Sequence, residues 1–417
     1  MKKLFDFDEP IISGLLETDT YKIRMLYFIW TFFPYLKTKL VFTNRTESVK
    51  LAKEIDLMQL QEQLDFVSRL QFTDAEIEFL REREDYPEDF LQFLRELKLS
   101  EIVVEQDKGG QLIIETDEMH WFSTTLWELV VLPIVNELYF REIIKQNNIS
   151  EIDIIGEGEK RLREKAQMLT GSGVRALQFG LRRRLSGAWE KHMTQMALEL
   201  MPDVMTAVSN MKLARDLVVP YAGTNAHELS MALNALRWSE GPQKAWNSQY
   251  EVFEKWFELF DEPLRIILPD TFGSKQFLDN IPVGLMREAN GFRQDSGNPI
   301  EFGNMVLDKW QDSYLNPAGT AGKTLFFSDG LNAQKMLELY REFGDKVNVL
   351  FGWGTNFSND TGFVKPLSIV MKLVKSGGND AVKLSDNIAK AIGDPIAIAR
   401  NKKLFGYDVT LDEKCVY

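Results

Sequence analysis

The stretch Thr324-Leu-Phe-Phe-Ser-Asp-Gly330, together with the later run Val347-Asn-Val-Leu-Phe351, decides the fold class of this chain. Both are short apolar runs that end in a loop with glycine or polar residues, and a helical pattern from Asn332 to Phe343 separates them. Buried strands that alternate with helices are typical of βα units, whose strands lie parallel in one sheet. The stretch therefore predicts an α/β domain with ligand-binding groups at the carboxyl ends of its strands.

Two further apolar runs extend this pattern in both directions along the chain. Arg265-Ile-Ile-Leu-Pro-Asp270 lies upstream, and Leu367-Ser-Ile-Val-Met-Lys-Leu-Val374 lies downstream. Several such units in series predict a (β/α) barrel over residues 146–400. An open, doubly wound sheet is the competing architecture, and the pattern alone does not separate the two.

The first 145 residues have a different character and predict an N-terminal α+β domain. Residues 47–99 are acidic and helical in period, and Thr73-Asp-Ala-Glu76 has the spacing of a helix capping box. Residues 101–115 are typical of a β-hairpin. The most apolar stretch, Trp121 to Phe140, contains Glu128 and predicts an internal helix or helix pair, not a membrane span. Residues 401–417 form a tail that can pack back on this N-terminal domain.

Composition and charge exclude several classes of protein. The 417 residues have a formal net charge of -13 and a single cysteine. An acidic chain is a poor candidate for binding nucleic acid or an anionic membrane. One cysteine allows neither an intrachain disulfide nor a cysteine metal site, and residues 1–10 lack the apolar core of a signal peptide. We therefore expect a protein of a reducing compartment, the cytoplasm.

Three polar motifs follow predicted strands. They are Phe292-Arg-Gln-Asp-Ser-Gly-Asn-Pro299, Ser328-Asp-Gly330 and Gly352-Trp-Gly-Thr-Asn356. The first places a guanidinium two residues from a carboxylate, and the glycines of the others allow close approach of a phosphate to the backbone. The alternatives are an Asx-turn with a surface ion pair and ordinary turn chemistry. No P-loop is present.

The remaining motifs are weak when taken singly. Gly223-Thr-Asn-Ala-His-Glu228 contains one of three histidines, and a lone histidine in a loop is more often structural than catalytic. Arg182-Arg-Arg184 is either a solvated helix face or a group aimed at an anionic substrate. Thr18-Asp-Thr-Tyr-Lys22 and Val41-Phe-Thr-Asn-Arg45 indicate nothing by themselves. No two histidines have the spacing of zinc ligands.

Taken together and in this order, these motifs resemble the nicotinate phosphoribosyltransferase family. The resemblance runs from Thr18 to about Asp394, and the length and domain order look most like the bacterial branch. It implies an irregular (β/α) barrel core with an N-terminal, sandwich-like α+β domain, the type II phosphoribosyltransferase architecture. Nicotinamide phosphoribosyltransferases are similar at a greater distance.

The resemblance also implies the reaction. Nicotinate and phosphoribosyl pyrophosphate (PRPP) form nicotinate mononucleotide and pyrophosphate, coupled to ATP hydrolysis with Mg²⁺, and this is the entry of nicotinate into NAD synthesis. The implied metal comes with the substrate and has no protein ligands of its own. Some relatives build the site across a homodimer, which would place Tyr21 and Arg45 in a partner's pocket, and the sequence leaves the oligomeric state open.

The roles of individual residues are likewise implied by the resemblance. His227 matches the histidine that ATP phosphorylates, and Asp270 the carboxylate that orients its imidazole. Five residues match the nicotinate site, with Phe179 and Arg293 on the two faces of the pyridine ring: Tyr21, Phe179, Ser209, Thr224 and Arg293. Eight match the site of PRPP and pyrophosphate, with Asp295 on the ribose hydroxyls: Arg45, Arg182, Asp295, Asp329, Gly330, Gly354, Thr355 and Lys383.

Ser209 decides the expected substrate. Nicotinamide-using relatives have an aspartate at the matching position, which suits an amide donor and repels a carboxylate. A neutral serine near Arg293 favours the acid, with a selectivity of roughly 100-fold or better. The alternatives are a phosphoribosyltransferase for nicotinamide or another pyridine, and a non-catalytic relative that binds the same ligands.

Overall fold

The computed structural model describes residues 3–312, 314–315 and 319–413 of the chain. The β-strands, in chain order, are β1 (Lys37–Asn44), β2 (Ile102–Gln106), β3 (Leu112–Thr116), β4 (Met119–His120), β5 (Ala176–Gln178), β6 (Met205–Val208), β7 (Ile266–Ile267), β8 (Gly291–Gln294), β9 (Thr324–Phe327), β10 (Asn348–Trp353), β11 (Ile369–Ser376) and β12 (Asn379–Asp380).

The α-helices are α1 (Thr20–Phe32), α2 (Leu51–Glu54), α3 (Leu57–Ser68), α4 (Asp74–Arg83), α5 (Glu88–Glu96), α6 (Trp121–Thr124), α7 (Trp127–Gln146), α8 (Glu151–Leu169), α9 (Gly187–Leu200), α10 (Met211–Leu217), α11 (His227–Arg237), α12 (Pro242–Leu259), α13 (Ser274–Asp279), α14 (Val283–Glu288), α15 (Pro299–Gln311), α16 (Ala333–Phe343), α17 (Thr355–Ser358) and α18 (Pro395–Phe405).

One sheet is parallel throughout and has the order β6-β5-β10-β9-β8-β7. Its strands are short and almost wholly buried, as expected when helices cover a parallel sheet. The segment after α10 lies between the two edge strands: Ala222 N–H donates to the carbonyl of Val208 on β6, and the Asn225 side chain donates to the carbonyl of Ile266 on β7. This segment closes the sheet into the irregular barrel that the sequence predicts.

The other sheet is antiparallel and has the order β12-β11-β1-β3-β2, with β4 also paired to β1. The predicted hairpin is confirmed as β2 and β3, and the capping box of Thr73 and Glu76 is formed at the start of α4. The prediction for residues 367–374 was wrong in one respect. This run forms β11, which pairs with β1 of the antiparallel sheet and is not a barrel strand, because an apolar run does not specify which sheet will bury it.

Helix α7 connects the two sheets and explains the apolar stretch near Trp121. It packs against β11 and against the 3-10 turn Leu181–Arg183 that follows β5. Its residues are buried on nearly all sides, Glu128 included, and α6 precedes it as the predicted helix pair. Among the described residues, no helix is both long and apolar enough to cross a membrane.

The end of the chain is described as far as Glu413. Asp394 and Pro395 begin α18, and Gly406 ends it in the left-handed conformation with φ 57. Phe405 stacks on Phe272, and the Asn401 side chain accepts a hydrogen bond from Trp238. These contacts attach the segment to the loops beside the barrel. The packing of residues 401–417 on the N-terminal domain stays a prediction, because residues 414–417 lie outside the described part of the chain.

Candidate active site

The carboxyl ends of the barrel strands open into a cavity of about 290 Å³. Parallel strands bring the residues that follow them to one end of the barrel, so Phe179 follows β5, Ser209 follows β6 and Asp295 follows β8. Fourteen of the fifteen residues predicted for the site line this cavity: Tyr21, Arg45, Phe179, Arg182, Ser209, Thr224, His227, Arg293, Asp295, Asp329, Gly330, Gly354, Thr355 and Lys383. Asp270, the fifteenth, is buried directly against His227.

His227 is the first residue of α11 and is 6% exposed. Its Nδ1 lies 2.9 Å from the hydroxyl of Thr271, and its Nε2 lies 3.1 Å from Asp295 Oδ2 and 3.4 Å from Asp270 Oδ1. Burial lowers the pKa of His227 to about 4, against the opposing charge of Asp270. The imidazole is therefore neutral at physiological pH and holds its proton on one nitrogen only.

The two carboxylates beside His227 face the same ring nitrogen. We expected Asp270 to orient the imidazole, and it faces Nε2, whereas the group on the opposite nitrogen is the hydroxyl of Thr271. Asp270 in turn accepts a hydrogen bond of 2.5 Å from Ser296. Thr271 follows Asp270 directly in the chain, which is the one signal that would have pointed to it.

Asp295 is held by donors from three directions. It accepts hydrogen bonds from Arg293 (3.2 Å) and Ser328 (2.9 Å) and contacts His227. Burial alone would raise the pKa of this carboxyl, but Arg293, His227 and Lys383 hold it well below its usual range. Asp295 is thus an anion that joins the histidine to the arginine across the cavity.

Arg293 is on β8 and lines the cavity. Its Nε donates to Ser328 (2.9 Å) and its Nη1 to the carbonyl of Asn225 (3.1 Å), with the Thr224 hydroxyl 3.4 Å away. These bonds fix the plane of the guanidinium, which packs over the ring of Phe326. A fixed, planar cation suits stacking on an aromatic ring or a forked bond to a carboxylate.

Phe179 depends on the glycines of the neighbouring strand. A Cβ atom on Gly352 would lie 2.6 Å from the Phe179 ring, closer than such atoms approach in proteins. Gly330 adopts φ 55, a left-handed conformation that glycine adopts without strain. The two glycine-bearing motifs found in the sequence therefore shape the cavity in two ways. Gly352 leaves room for the Phe179 ring, and Gly330 allows a left-handed backbone turn.

Cationic groups gather at the side of the cavity that faces the antiparallel sheet. Arg45 donates to the carbonyl of Lys390, and Lys383 Nζ lies 3.8 Å from Asp270 and 3.9 Å from Asp295. Lys390 donates to Asp329 at 2.6 Å. Arg45 directly follows β1, and Lys383 and Lys390 follow β12, so segments near both ends of the chain contribute to one cationic surface.

Sequence reasoning missed two lysines and an acid that line the cavity: Lys372, Lys390 and Glu128. Glu128 Oε1 lies 2.7 Å from Lys372 and 3.5 Å from Arg182. Burial lowers the pKa of Lys372 to about 8, although Glu128 opposes the shift. The available signal was the single lysine inside the apolar run of residues 367–374. The run was predicted to be a barrel strand, so the sequence did not indicate that Lys372 faces this cavity.

Tyr21 and Arg45 line the cavity of their own chain. The Tyr21 hydroxyl lies 3.4 Å from Glu128 within the same molecule. The cavity therefore has both residues without a second subunit, and the oligomeric state stays open, as it was from the sequence.

The fold is an irregular parallel barrel packed on an antiparallel sheet. Its cavity contains a histidine that lies between carboxylates and a cationic surface. These are the features of a type II phosphoribosyltransferase. Family models agree with this class. The Nicotinate phosphoribosyltransferase (NAPRTase) family model matches residues 174–409, and the model of the NAPRTase N-terminal domain matches residues 16–136. The chain belongs to the nicotinate phosphoribosyltransferase family, as the motifs predicted, and is an enzyme of pyridine nucleotide biosynthesis.

Solved structures are similar over nearly the whole chain. The nicotinate phosphoribosyltransferase of Porphyromonas gingivalis has 27% sequence identity and a TM-score of 0.84, with 95% of this chain and 100% of that chain covered. The nicotinate phosphoribosyltransferase of Vibrio cholerae has 27% identity and a TM-score of 0.84, with 98% of this chain and 96% of that chain covered. These matches confirm the predicted architecture.

Proposed function

We propose that this enzyme transfers the phosphoribosyl group of PRPP to nicotinate and couples the transfer to ATP hydrolysis through phosphorylation of His227. The observation that carries the proposal is the convergence of His227, Arg293 and Asp329 in one cavity. A histidine, a fixed guanidinium and carboxylates at strand ends are the groups that a flat acid and a phosphorylated sugar require.

Nicotinate would lie between the Phe179 ring and the Arg293 guanidinium. The Thr224 hydroxyl lies beside Arg293. Ser209 follows β6, the neighbour of the strand that precedes Phe179. The nicotinate carboxylate would therefore meet neutral or cationic groups. The pyridine nitrogen then points towards the cationic surface, where C1′ of PRPP would be held. An amide ligand gains nothing from the cation, which favours nicotinate over nicotinamide.

In the transfer step the pyridine nitrogen forms a bond to C1′ while the bond from C1′ to the pyrophosphate oxygen breaks. The developing negative charge is met by Arg45, Arg182 and Lys383, and Lys372 lies in the same cavity. Gly330, Gly354 and Thr355 would hold the 5′-phosphate, because their backbone can approach it closely. Positioning and charge neutralisation are the means of catalysis here.

Magnesium fits this cavity as a companion of the pyrophosphate. Asp329 presents carboxylate oxygens at the cavity, and oxygen ligands suit Mg²⁺. When bound, the ion would neutralise negative charge that develops on the leaving pyrophosphate. Asp329 already bonds to Lys390, so the protein's own part is to hold that carboxylate in place.

The coupling step would use the neutral imidazole. A ring nitrogen of His227 attacks the γ-phosphorus of ATP while the bond from that phosphorus to the ADP oxygen breaks, and the single ring proton passes to one neighbouring carboxylate, Asp295 or Asp270. Phosphorylation adds negative charge and acceptor oxygens beside Lys383. Water later removes the phosphoryl group, and we propose that this loss releases the products. A cytoplasmic location is part of the same proposal.

One assay tests the substrate assignment directly. Pyrophosphate release is measured with nicotinate and with nicotinamide, each with PRPP, Mg²⁺ and ATP. Release with nicotinate at a kcat/KM at least about 100-fold higher supports the proposal. Equal or greater turnover of nicotinamide would reassign the enzyme, and ligand binding without pyrophosphate release would make it a non-catalytic relative.

A further inference from the structure

Glu190 lies behind the cavity wall that carries the predicted pyridine ligands. We use the name pyridine wall for residues 178–179 and 209–210, which include Phe179 and Ser209. Glu190 is on the first turn of α9, is 1% exposed and is absent from the described side chains that line the active-site cavity. It therefore acts on a ligand only through other residues.

Both strands of the pyridine wall are bonded to the carboxylate of Glu190. The Gln178 side chain donates to Oε1 at 2.7 Å, and the Asn210 side chain donates to Oε2 at 3.3 Å. Each donor is the chain neighbour of a predicted ligand: Gln178 precedes Phe179, and Asn210 follows Ser209. The Ser209 N–H donates to the carbonyl of Gln178, which joins the two strands directly.

Buried charges fix Glu190 itself. Arg184 donates to Glu190 Oε2 at 2.9 Å and lies 2.8 Å from Glu17, and all three side chains are buried. The segment that begins at Glu17 is bonded to the wall as well, because the Thr20 N–H donates to the carbonyl of Ser209. Removal of one member of such a buried network leaves another charge without compensation.

Asn210 is the pyridine-wall residue that borders open space on its far side. A second cavity, of about 360 Å³, lies behind it and is lined by Glu17, Arg184, Glu190 and Asn210, among others. Gln178 and Asn210 are both buried, and a buried side-chain amide needs hydrogen bonds to hold its position. Glu190 is the group that receives these bonds.

We infer that Glu190 is a positioning residue that sets the spacing of Phe179 and Ser209 and thereby the affinity for nicotinate. This inference rests on the proposed function. Three donors converge on Glu190, and a carboxylate offers only acceptors, so the match is complete. Glutamine at this position would turn an N–H group towards a donor and open the pyridine wall while keeping the side-chain volume.

The effect should be confined to one substrate. Arg182, a predicted pyrophosphate ligand, is held by Glu128 on another side of the cavity and not by Glu190. In Glu190→Gln we expect the KM for nicotinate to rise about tenfold or more, which corresponds to about 1.4 kcal/mol. The KM for PRPP should stay within about twofold of the wild-type value.

Glu137→Gln is the matched control. Glu137 is also a buried acid, pairs with Arg141 at 2.6 Å and accepts a bond from the Gly187 N–H, but it does not contact the pyridine wall. We expect this variant to lower the melting temperature without changing the KM for nicotinate. Gln178→Met, which removes one donor to Glu190 at similar volume, provides a second route if Glu190→Gln does not fold, and it should raise the same KM.

The measurement is steady-state kinetics of all three variants, with thermal unfolding of each. A rise in the nicotinate KM alone, in Glu190→Gln or in Gln178→Met, supports the inference. An equal rise in both KM values, an unchanged nicotinate KM, or the same kinetic change in Glu137→Gln overturns it. Failure of the proposed function is separate, because the wild-type enzyme would then show no turnover of nicotinate.

Discussion

The Nε2 atom of His227 lies 3.1 Å from Oδ2 of Asp295, and this contact joins the predicted phosphate acceptor to the predicted transfer site. Asp295 also bonds to Arg293, so one carboxylate connects the histidine of the ATP step with the guanidinium of the pyridine site. Charge added to the histidine must alter Asp295 and, through it, the arrangement of the substrate ligands.

Lys372 predicts a pH dependence of PRPP binding. Its pKa of about 8 lies below its ordinary value, so the free enzyme loses this positive charge as the pH rises through 8. Because the polyanion favours the protonated lysine, binding must take up a proton above pH 8. The KM for PRPP should therefore rise between pH 8 and pH 9.5, by up to about tenfold per unit.

The control for this prediction is Lys372→Arg, which stays charged throughout the range. Its KM for PRPP should be flatter with pH, measured by initial rates at saturating nicotinate. Parallel pH profiles of the variant and the wild-type enzyme would remove Lys372 from the phosphate site.

Ser209→Asp should invert the preference between the two pyridines. A carboxylate at this position repels the nicotinate carboxylate in a poorly hydrated cavity and accepts a hydrogen bond from an amide. We expect kcat/KM for nicotinate to fall roughly 100-fold while that for nicotinamide holds or rises. Ser209→Ala should change the ratio little, and a ratio unaltered by the aspartate would place Ser209 outside the pyridine site.

Arg293→Ala should nearly abolish turnover of nicotinate. The side chain has bonds to Ser328, Asn225 and Asp295, and its loss removes both a stacking face and a cation. We expect kcat/KM to fall by about 100-fold or more. Arg287→Ala is a suitable control, because the side chain of that exposed arginine donates to the carbonyls of Tyr314 and Leu315 and is not among the described residues that line the cavity. Wild-type rates in Arg293→Ala would show that the guanidinium does not contact the substrate.

Gly352→Ala tests the position of the Phe179 ring. The added methyl group would lie 2.6 Å from that ring and must displace it. Overpacking of this kind costs about 1–3 kcal/mol, so the KM for nicotinate should rise about tenfold or more. If titration calorimetry gave an unchanged affinity for nicotinate, the ring could not form one face of its site.

The sequence was most informative about strand ends. The motifs at Phe292, Ser328 and Gly352 lie at the carboxyl ends of β8, β9 and β10, because parallel strands bring such loops together whatever their separation in the chain. The family followed from the joint presence of these motifs with the segment around His227, and the family models confirm it.

Residues brought in by the antiparallel sheet were beyond the reach of the sequence. Lys372 faces the cavity because β11 belongs to the antiparallel sheet and pairs with β1. This pairing joins residues that are far apart in the chain. Glu128 was understood as a sign that α7 does not cross a membrane, but its pairing with Lys372 and Arg182 depends on how α7 packs. The hydrophobic periodicity and the composition of a sequence do not indicate such long-range contacts.

The most direct test of the central claim is the ATP dependence of pyrophosphate release, measured with nicotinate and PRPP in the wild-type enzyme and in His227→Ala. His192→Ala is the control, since His192 pairs with Glu159 away from the cavity. We predict that ATP stimulates the wild-type enzyme and His192→Ala, and that both acquire a protein-bound phosphate. His227→Ala should lose the stimulation and the phosphate while slow transfer persists. ATP hydrolysis in step with product formation by His227→Ala would contradict the account.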